Sequence, residues 1–295
     1  MTRPLKPNRS SAPRPPILVP LCPCNFGARG EILTPREGPV AATRRAVKML
    51  RAILFDLDDT LHDDCNAYQK AATVVSEQVA RERNGIEPSA LASAFVHELE
   101  GFWSAFDAST LRAGLNVRQE MWRRALVRFD VESPALALRC AESFEAARSD
   151  MYKMFPGAYE ALDALRGRGL RLGLLTNGLV ATHREKILRL NLEPHLDAVF
   201  LSDEIGFSKP DKRAFLHACE ALDALPTETV MVGDRYDKDI CGATNAGLKT
   251  VWINARNEQI PDGAAAPTST VRAISQVPSA LNVIEAMLKE PPSQP

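Results

Sequence analysis

What this chain lacks narrows what it can be. Its longest purely apolar runs fall far short of the ~20 residues that a membrane-spanning helix needs, so no membrane partner is expected. Its net charge of −1 leaves no electrostatic footprint for a nucleic acid polymer or an acidic lipid surface. The six cysteines (Cys22, Cys24, Cys65, Cys140, Cys219, Cys241) are scattered and show none of the dense, regular spacing of a disulfide framework. A reducing compartment, the cytoplasm, is the simplest reading. Cys22 and Cys24 form a C-x-C with no second pair, too little for a metal site. What remains is ordinary. An apolar fraction of 45% and a charged fraction of 25% suit a globular protein, and 295 residues suit two compact units better than one.

Residues 1–48 are rich in Pro, Arg, Ser and Gly without helix or strand periodicity, and read as a disordered N-terminal extension. The abrupt change of composition makes Met49 a plausible biological start. The first ordered stretch, Arg51 to Leu61 (RAILFDLDDTL), then organises the rest. Ile53, Leu54 and Phe55 read as a short buried strand that delivers Asp56 and Asp58 to the loop at its C-terminal end. Like charges so close raise each other's pKa unless a cation or a shared proton relieves them. The pair therefore points to a metal site or acid–base chemistry. An acidic turn in which Asp58, Asp59 and Thr60 merely cap a helix fits equally well at this point.

From Cys65 to about Met154 the apolar spacing is helical, with candidate helices over 65–83, 88–106, 116–130 and 134–153, and Asn116 with Gln119 resembles a capping box. Short links between them predict a small bundle. After Phe155-Pro156-Gly157 the texture becomes β/α alternation: strands over 170–175, 198–201, 230–232 and 250–253, helices over 157–168, 179–190, 211–224 and 237–246. A short strand and a closing helix over 268–289 follow. This predicts an α/β fold, a Rossmann-like parallel sheet covered by helices on both faces, with the helical bundle inserted as a cap. The division expected is a core of 49–64 and 155–290, a cap of 65–154 and a disordered tail of 291–295. Right-handed crossovers put the strand C-termini along one edge, where ligands bind in open α/β sheets. That edge collects Asp56, Asp58, Thr176, Asn177, Gly178 and Asp234, with Lys209 arriving from a loop.

In order along the chain, Asp56-Leu57-Asp58-Asp59-Thr60, Leu175-Thr176-Asn177-Gly178, Ser208-Lys209-Pro210-Asp211 and Gly233-Asp234 up to Asp239 resemble the four motifs of the haloacid dehalogenase-like hydrolases. The resemblance covers about Arg51 to Ile253, and the helical insert resembles a cap of the family's first class by position and helicity. It implies a phosphatase that hydrolyses small phosphate monoesters through an aspartyl-phosphate, with Asp56 as nucleophile and Asp58 as general acid and base. It also implies a Mg²⁺ cofactor on the Asp56 carboxylate, the Asp58 carbonyl and the Asp234 carboxylate. Thr176 and the Asn177 amide would hold phosphate oxygens beside Lys209, and Asp239 would orient Lys209 or metal-bound waters. The segments LLTNGLVATHREKI, FSKPDKRAF and NAGLKTVWIN resemble the subgroup of N-acylneuraminate-9-phosphatase and the pyrimidine 5'-nucleotidases, which implies sugar phosphates or nucleoside monophosphates as substrates. The partner expected is thus a small-molecule phosphate ester, with the chain a monomer or homodimer.

Rival readings are a phosphomutase, a haloacid dehalogenase and a receiver-like phosphoaccepting module. The dehalogenase branch needs no second carboxylate, so Asp58 argues against it. The receiver fold has no cap and carries its acceptor on a later strand. Around the site, Asp59, Asp63, Asp64 and Asp237 read as solvated or capping, His62 as a loop residue and His183 as a surface residue. Trp103, Met121, Trp122 and Phe144 fit the core of the cap. Of Arg112, Arg118, Arg123 and Arg124, which could reach an anionic substrate, most are expected on a solvated helix face.

Overall fold

The structure is a computed structural model that describes residues 49–104 and 116–289. The expectations for 1–48, for Arg112 and for 291–295 lie outside the described residues, as does that for the Trp103 side chain.

Strand β1 (Ala52–Phe55) is wholly buried and reads as an unbroken apolar run because both of its faces are covered. Helices α1 (Asp64–Glu82), α2 (Pro88–Ser104), α3 (Val117–Val127) and α4 (Pro134–Ser149) follow as the insert. The Asn116 side chain accepts a bond from the Gln119 amide to open α3, as the sequence predicted, and Ser133 does the same for Leu136 in front of Pro134 at α4. The chain then alternates through α5 (Ala158–Gly167), β2 (Arg171–Thr176), α6 (Val180–Arg189), β3 (Ala198–Leu201), the single turn α7 (Ser202–Ile205) and α8 (Lys212–Ala221). It ends with β4 (Thr229–Gly233), a π-helical turn over Tyr236–Ile240, α9 (Cys241–Asn245), β5 (Lys249–Ile253), β6 (Ser269–Val271) and α10 (Val277–Lys289).

Among the described residues the strands form one parallel sheet in the order β3-β2-β1-β4-β5-β6. The chain builds outward from β1 on one side, returns, and builds outward from β4 on the other. The switch between β1 and β4 opens a crevice beyond their C-terminal ends. Side chains alternate across the sheet. Ile53 and Phe55 pack with Leu172, Leu174, Val230 and Val232 on one face, while Ala52 and Leu54 join Leu175, Met231, Phe215 and Leu222 on the other.

The insert has its own apolar cluster, in which Phe95 stacks on Trp122 with ring centroids 4.0 Å apart and Phe144 meets Phe95 edge-on. Met121, Trp122 and Phe144 are fully buried there, as their spacing predicted. The two chain segments that lead into and out of the insert run side by side. Phe155 donates to the Leu61 carbonyl at 2.9 Å and Asp63 to that of Lys153 at 3.0 Å.

Candidate active site

The loop after β1 starts with Asp56, whose amide donates to the Val232 carbonyl at 2.9 Å and so is fixed to the end of β4. Its Oδ1 accepts from Lys209 Nζ at 2.7 Å, and the same ammonium donates to Asp239 Oδ1 at 2.6 Å. Lys209 itself is held by the Asn177 side chain. Asn177 Nδ2 donates to the Lys209 carbonyl at 2.8 Å, and the Lys209 amide donates to Asn177 Oδ1 at 2.9 Å. Asp234 follows β4, with its Oδ1 accepting from Thr60 Oγ1 at 3.3 Å and its carbonyl from the Trp252 indole at 2.8 Å.

Glycine is required at the end of β4. A Cβ on Gly233 would stand 2.2 Å from Asp239 Oδ2, so any side chain there would push Asp239 away from Lys209.

One cavity of about 770 Å³ is lined by Asp56, Asp58, Thr176, Asn177, Lys209, Asp234 and Asp239 together. The sequence-predicted residues thus converge, although Asp56 and Asp239 stand 183 positions apart in the chain. The volume falls within the range of sites for small organic ligands.

Carboxylate oxygens of Asp56, Asp234 and Asp239 lie within 4.8 Å of one another, with the Lys209 ammonium among them. Three carboxylates face one ammonium, which leaves a surplus of negative charge. Burial, followed by the Asp239 and Asp56 charges, pushes the Asp234 carboxyl well above its ordinary value. Burial likewise pushes Asp239 up to about 6, against the pull of Lys209. A hard divalent cation with oxygen ligands fits this surplus, and Asp56 with Asp234 are the carboxylates best placed to hold it. Both Asp239 oxygens already accept bonds, from Lys209 and from the Arg235 amide at 3.0 Å.

Asp58 belongs to a second group. Lys186 Nζ donates to both Asp58 oxygens at 2.7 Å and to Asp64 Oδ1 at 2.9 Å, and Arg148 Nη2 donates to Asp64 at 2.6 and 2.9 Å. Burial and the Asp64 charge act to raise the Asp58 pKa, but Lys186 and His183 more than offset them and hold it well below the usual carboxylate range. Asp64 is likewise held low, since Arg148 and Lys186 overcome its burial.

Two expectations are corrected here. His183 is not a surface residue: it is 5% exposed, its Nδ1 donates to the Leu179 carbonyl at 3.0 Å and its Nε2 stands 3.4 Å from Asp58 Oδ2. Asp64 is not solvated, because two cations from α4 and α6 make its burial tolerable. Asp59 does act as a cap, accepting from the Cys65 amide at 2.9 Å, and Asp237 lies exposed beside Arg235. His62 is buried in its loop and is not among the residues lining the cavity. Arg123 and Arg124 lie on the surface with Glu120, whereas Arg118 is buried, donates to Glu145 at 2.6 Å and lines the cavity.

Lys186 and Arg148 escaped the sequence reading. A signal for Lys186 was present: Ile187 and Leu190 mark the inward stripe of α6, and 183 and 186 lie one turn before them on it.

Asp64→Asn is expected to cost about 3 kcal/mol of stability at pH 7, because Arg148 is left buried and unpaired. A carboxyl lowered in the folded state stabilises above its unfolded pKa of about 3.9 and loses that contribution as pH falls toward the folded value. The gap between wild type and variant should therefore narrow by roughly 1.4 kcal/mol per pH unit below about pH 4. Urea unfolding from pH 7 down to pH 3 reads this, and a constant gap would refute it.

A family model described as haloacid dehalogenase-like hydrolase matches residues 50–247. The phosphoserine phosphatase of Thermus thermophilus is 32% identical over 246 residues, covering 77% of this chain and 98% of the relative. The N-acylneuraminate-9-phosphatase of Mus musculus is 30% identical over 239 residues, covering 80% and 95%. Among solved structures, the magnesium-bound HAD-hydrolase YfnB of Bacillus subtilis superposes with a TM-score of 0.66 at 24% identity, over 80% of this chain and 100% of that one.

Proposed function

The chain belongs to the haloacid dehalogenase-like hydrolases, and from that premise we propose a magnesium-dependent phosphatase of small phosphate monoesters with Asp56 as its nucleophile. The observation that carries this reading is the meeting of Asp56, Asp234 and Lys209 at the switch between β1 and β4.

Asp56 attacks phosphorus and forms the aspartyl-phosphate. Asp58 gives a proton to the departing alkoxide and then takes one from the water that hydrolyses the intermediate. Thr176, 2% exposed at the end of β2, and the Asn177 amide hold phosphate oxygens, while Lys209 offsets their charge. Asp239 orients Lys209. Asp56, the Asp58 carbonyl and Asp234 would hold magnesium, which when bound would supply charge neutralisation for phosphoryl transfer.

Residues 65–154 act as the cap that excludes water over a core of 49–64 and 155–290. From the cap side, Tyr68, Glu100 and Arg118 line the same cavity, and Arg256 does so from the core. Hydroxyl-bearing anionic leaving groups, as in sugar phosphates or nucleoside monophosphates, suit this lining. The partner is that small molecule alone, with neither a nucleic acid polymer nor a membrane, and the protein works in the cytoplasm as a monomer or homodimer. Among the described residues no helix is long and apolar enough to cross a membrane.

A panel of phosphate esters assayed for released phosphate tests the reading. Turnover of a sugar phosphate or nucleoside monophosphate is expected, and Arg118→Met should raise KM for it roughly tenfold, the loss of about 1.4 kcal/mol from one charged contact. A panel without turnover would refute the proposal.

A further inference from the structure

Lys186 is fully buried on α6, yet the chemistry above makes no use of it. An ammonium has three protons, and this one spends them on three oxygens: both of Asp58 at 2.7 Å and Asp64 Oδ1 at 2.9 Å. Asp64 does not depend on it, because Arg148 Nη2 already reaches both Asp64 oxygens. Asp58 does. Its side chain is 26% exposed toward the cavity, and Lys186 with His183 are the groups that hold it from the protein side.

His183 sits one turn before Lys186 on the same helix face. Its ring is seated against the backbone of Gly178, where a Cβ would come within 2.1 Å of Cε1, and Nδ1 is tied to the Leu179 carbonyl. With Nδ1 tied to that carbonyl, Nε2 is the ring nitrogen that faces Asp58 Oδ2, at 3.4 Å. Two side chains of one helix therefore fix one side of Asp58, while Asp56 is fixed from another direction by Lys209. The two carboxylates of the first loop are each steered by their own buried lysine.

We infer that Lys186 is a positioning residue for proton transfer, setting where the Asp58 carboxyl oxygens stand relative to the leaving-group oxygen. This rests on the acid–base role of Asp58 proposed above. In the first half-reaction Asp58, ionised beside Lys186 at rest, accepts the proton of the bound phosphate monoester; an Asp56 oxygen then bonds to phosphorus, the ester P–O bond breaks, and its electron pair takes that proton from Asp58. In the second, a water oxygen bonds to phosphorus, Asp58 receives a proton from that water, and the acyl-phosphate P–O bond breaks to restore the Asp56 carboxylate. No redox change occurs, and the proton borrowed in one half is returned in the other. A carboxyl misplaced by about 1 Å loses much of its rate contribution even when it is chemically intact.

The test uses leaving groups of different basicity. Phenyl phosphate needs a proton on its departing oxygen, and dinitrophenyl phosphate hardly does. The ratio kcat/KM reports the first half-reaction for each. In Lys186→Met, whose unbranched side chain fills the same space, kcat/KM for phenyl phosphate should fall about 10- to 100-fold, part of the 10²–10⁴ that a general acid contributes. For dinitrophenyl phosphate it should fall less than about threefold.

Parallel losses would mean that Lys186 is only structural, and no loss would mean that Asp58 is positioned without it. Either outcome overturns the inference. If the Met variant does not fold by circular dichroism, Lys186→Gln, which keeps a donor for one Asp58 oxygen, should give the same selective loss at smaller size. Asp58→Asn is measured alongside. A selective loss there but not in the Lys186 variants removes only the role of Lys186, whereas none in either removes the acid–base reading of Asp58 itself.

Discussion

Asp56→Asn is expected to lower phosphate release by about four to six orders of magnitude, the scale on which a covalent mechanism fails without its nucleophile. The amide keeps an oxygen where Asp56 Oδ1 accepts from Lys209 Nζ at 2.7 Å, and the backbone bond to the Val232 carbonyl is untouched. It removes the charge and the nucleophilic electron pair, and no neighbour replaces them: Asp234 is tied to Thr60, and both Asp239 oxygens are engaged. The fold should survive, because the substitution also relieves repulsion among three acidic groups that share one lysine. Circular dichroism and a melting curve beside the activity assay separate chemistry from folding. Turnover within about tenfold of wild type would take Asp56 out of the nucleophile role.

Chelation is the second large effect. With EDTA, hydrolysis of p-nitrophenyl phosphate should fall at least about 10³-fold, and added Mg²⁺ should restore it. Rates unchanged in chelator would refute the metal assignment.

The acidic cluster adds a pH signature that does not depend on turnover. Asp239 sits near 6 and Asp234 is also raised, because burial and neighbouring acids disfavour their charged forms. A carboxyl raised in the folded state stabilises it below the unfolded pKa of about 3.9, and that contribution is lost as pH rises through the folded value. The metal-free protein therefore loses stability between about pH 4 and 6 as Asp239 ionises, and the raised Asp234 adds to the loss as pH climbs further. A divalent cation offsets the loss, and protons compete with it for the same oxygens. The rise in Tm on adding Mg²⁺ should be larger at pH 8 than at pH 5. An equal rise at both would place the ion elsewhere.

Much of this was legible because it is local. Phe55 followed by Asp56-Leu57-Asp58, and Val232 followed by Gly233-Asp234, are strand ends written as apolar runs broken by turn-formers. The parallel connections then oblige those ends to share an edge. The cap at Asn116 is equally local, since a capping side chain bonds to an amide two or three residues on. Even β3, with only four residues, falls where its run Ala198–Leu201 predicts.

Asp58 shows where that kind of reading stops. Its neighbours in the chain suggest a turn or a ligand, but its side chain is decided by Lys186, 128 positions away, and by His183 beside it. Read alone, THREKILRL is a basic amphipathic helix whose lysine and histidine belong in water. Burying that lysine costs several kcal/mol unless acceptors meet it, and the acceptors come from the first loop and the start of α1.

The order of residues alone thus determined the α/β architecture, the helical insert and the carboxylates, threonine and lysine gathered at the sheet edge, because strand ends and crossovers are set by local pattern and chain handedness. Only the tertiary structure decided which charges are buried and with whom: Asp56 with Lys209, and Asp58 with Lys186. The reason is desolvation, since a buried charge is tolerable only beside a partner, and the partner's position exists only once the chain has folded.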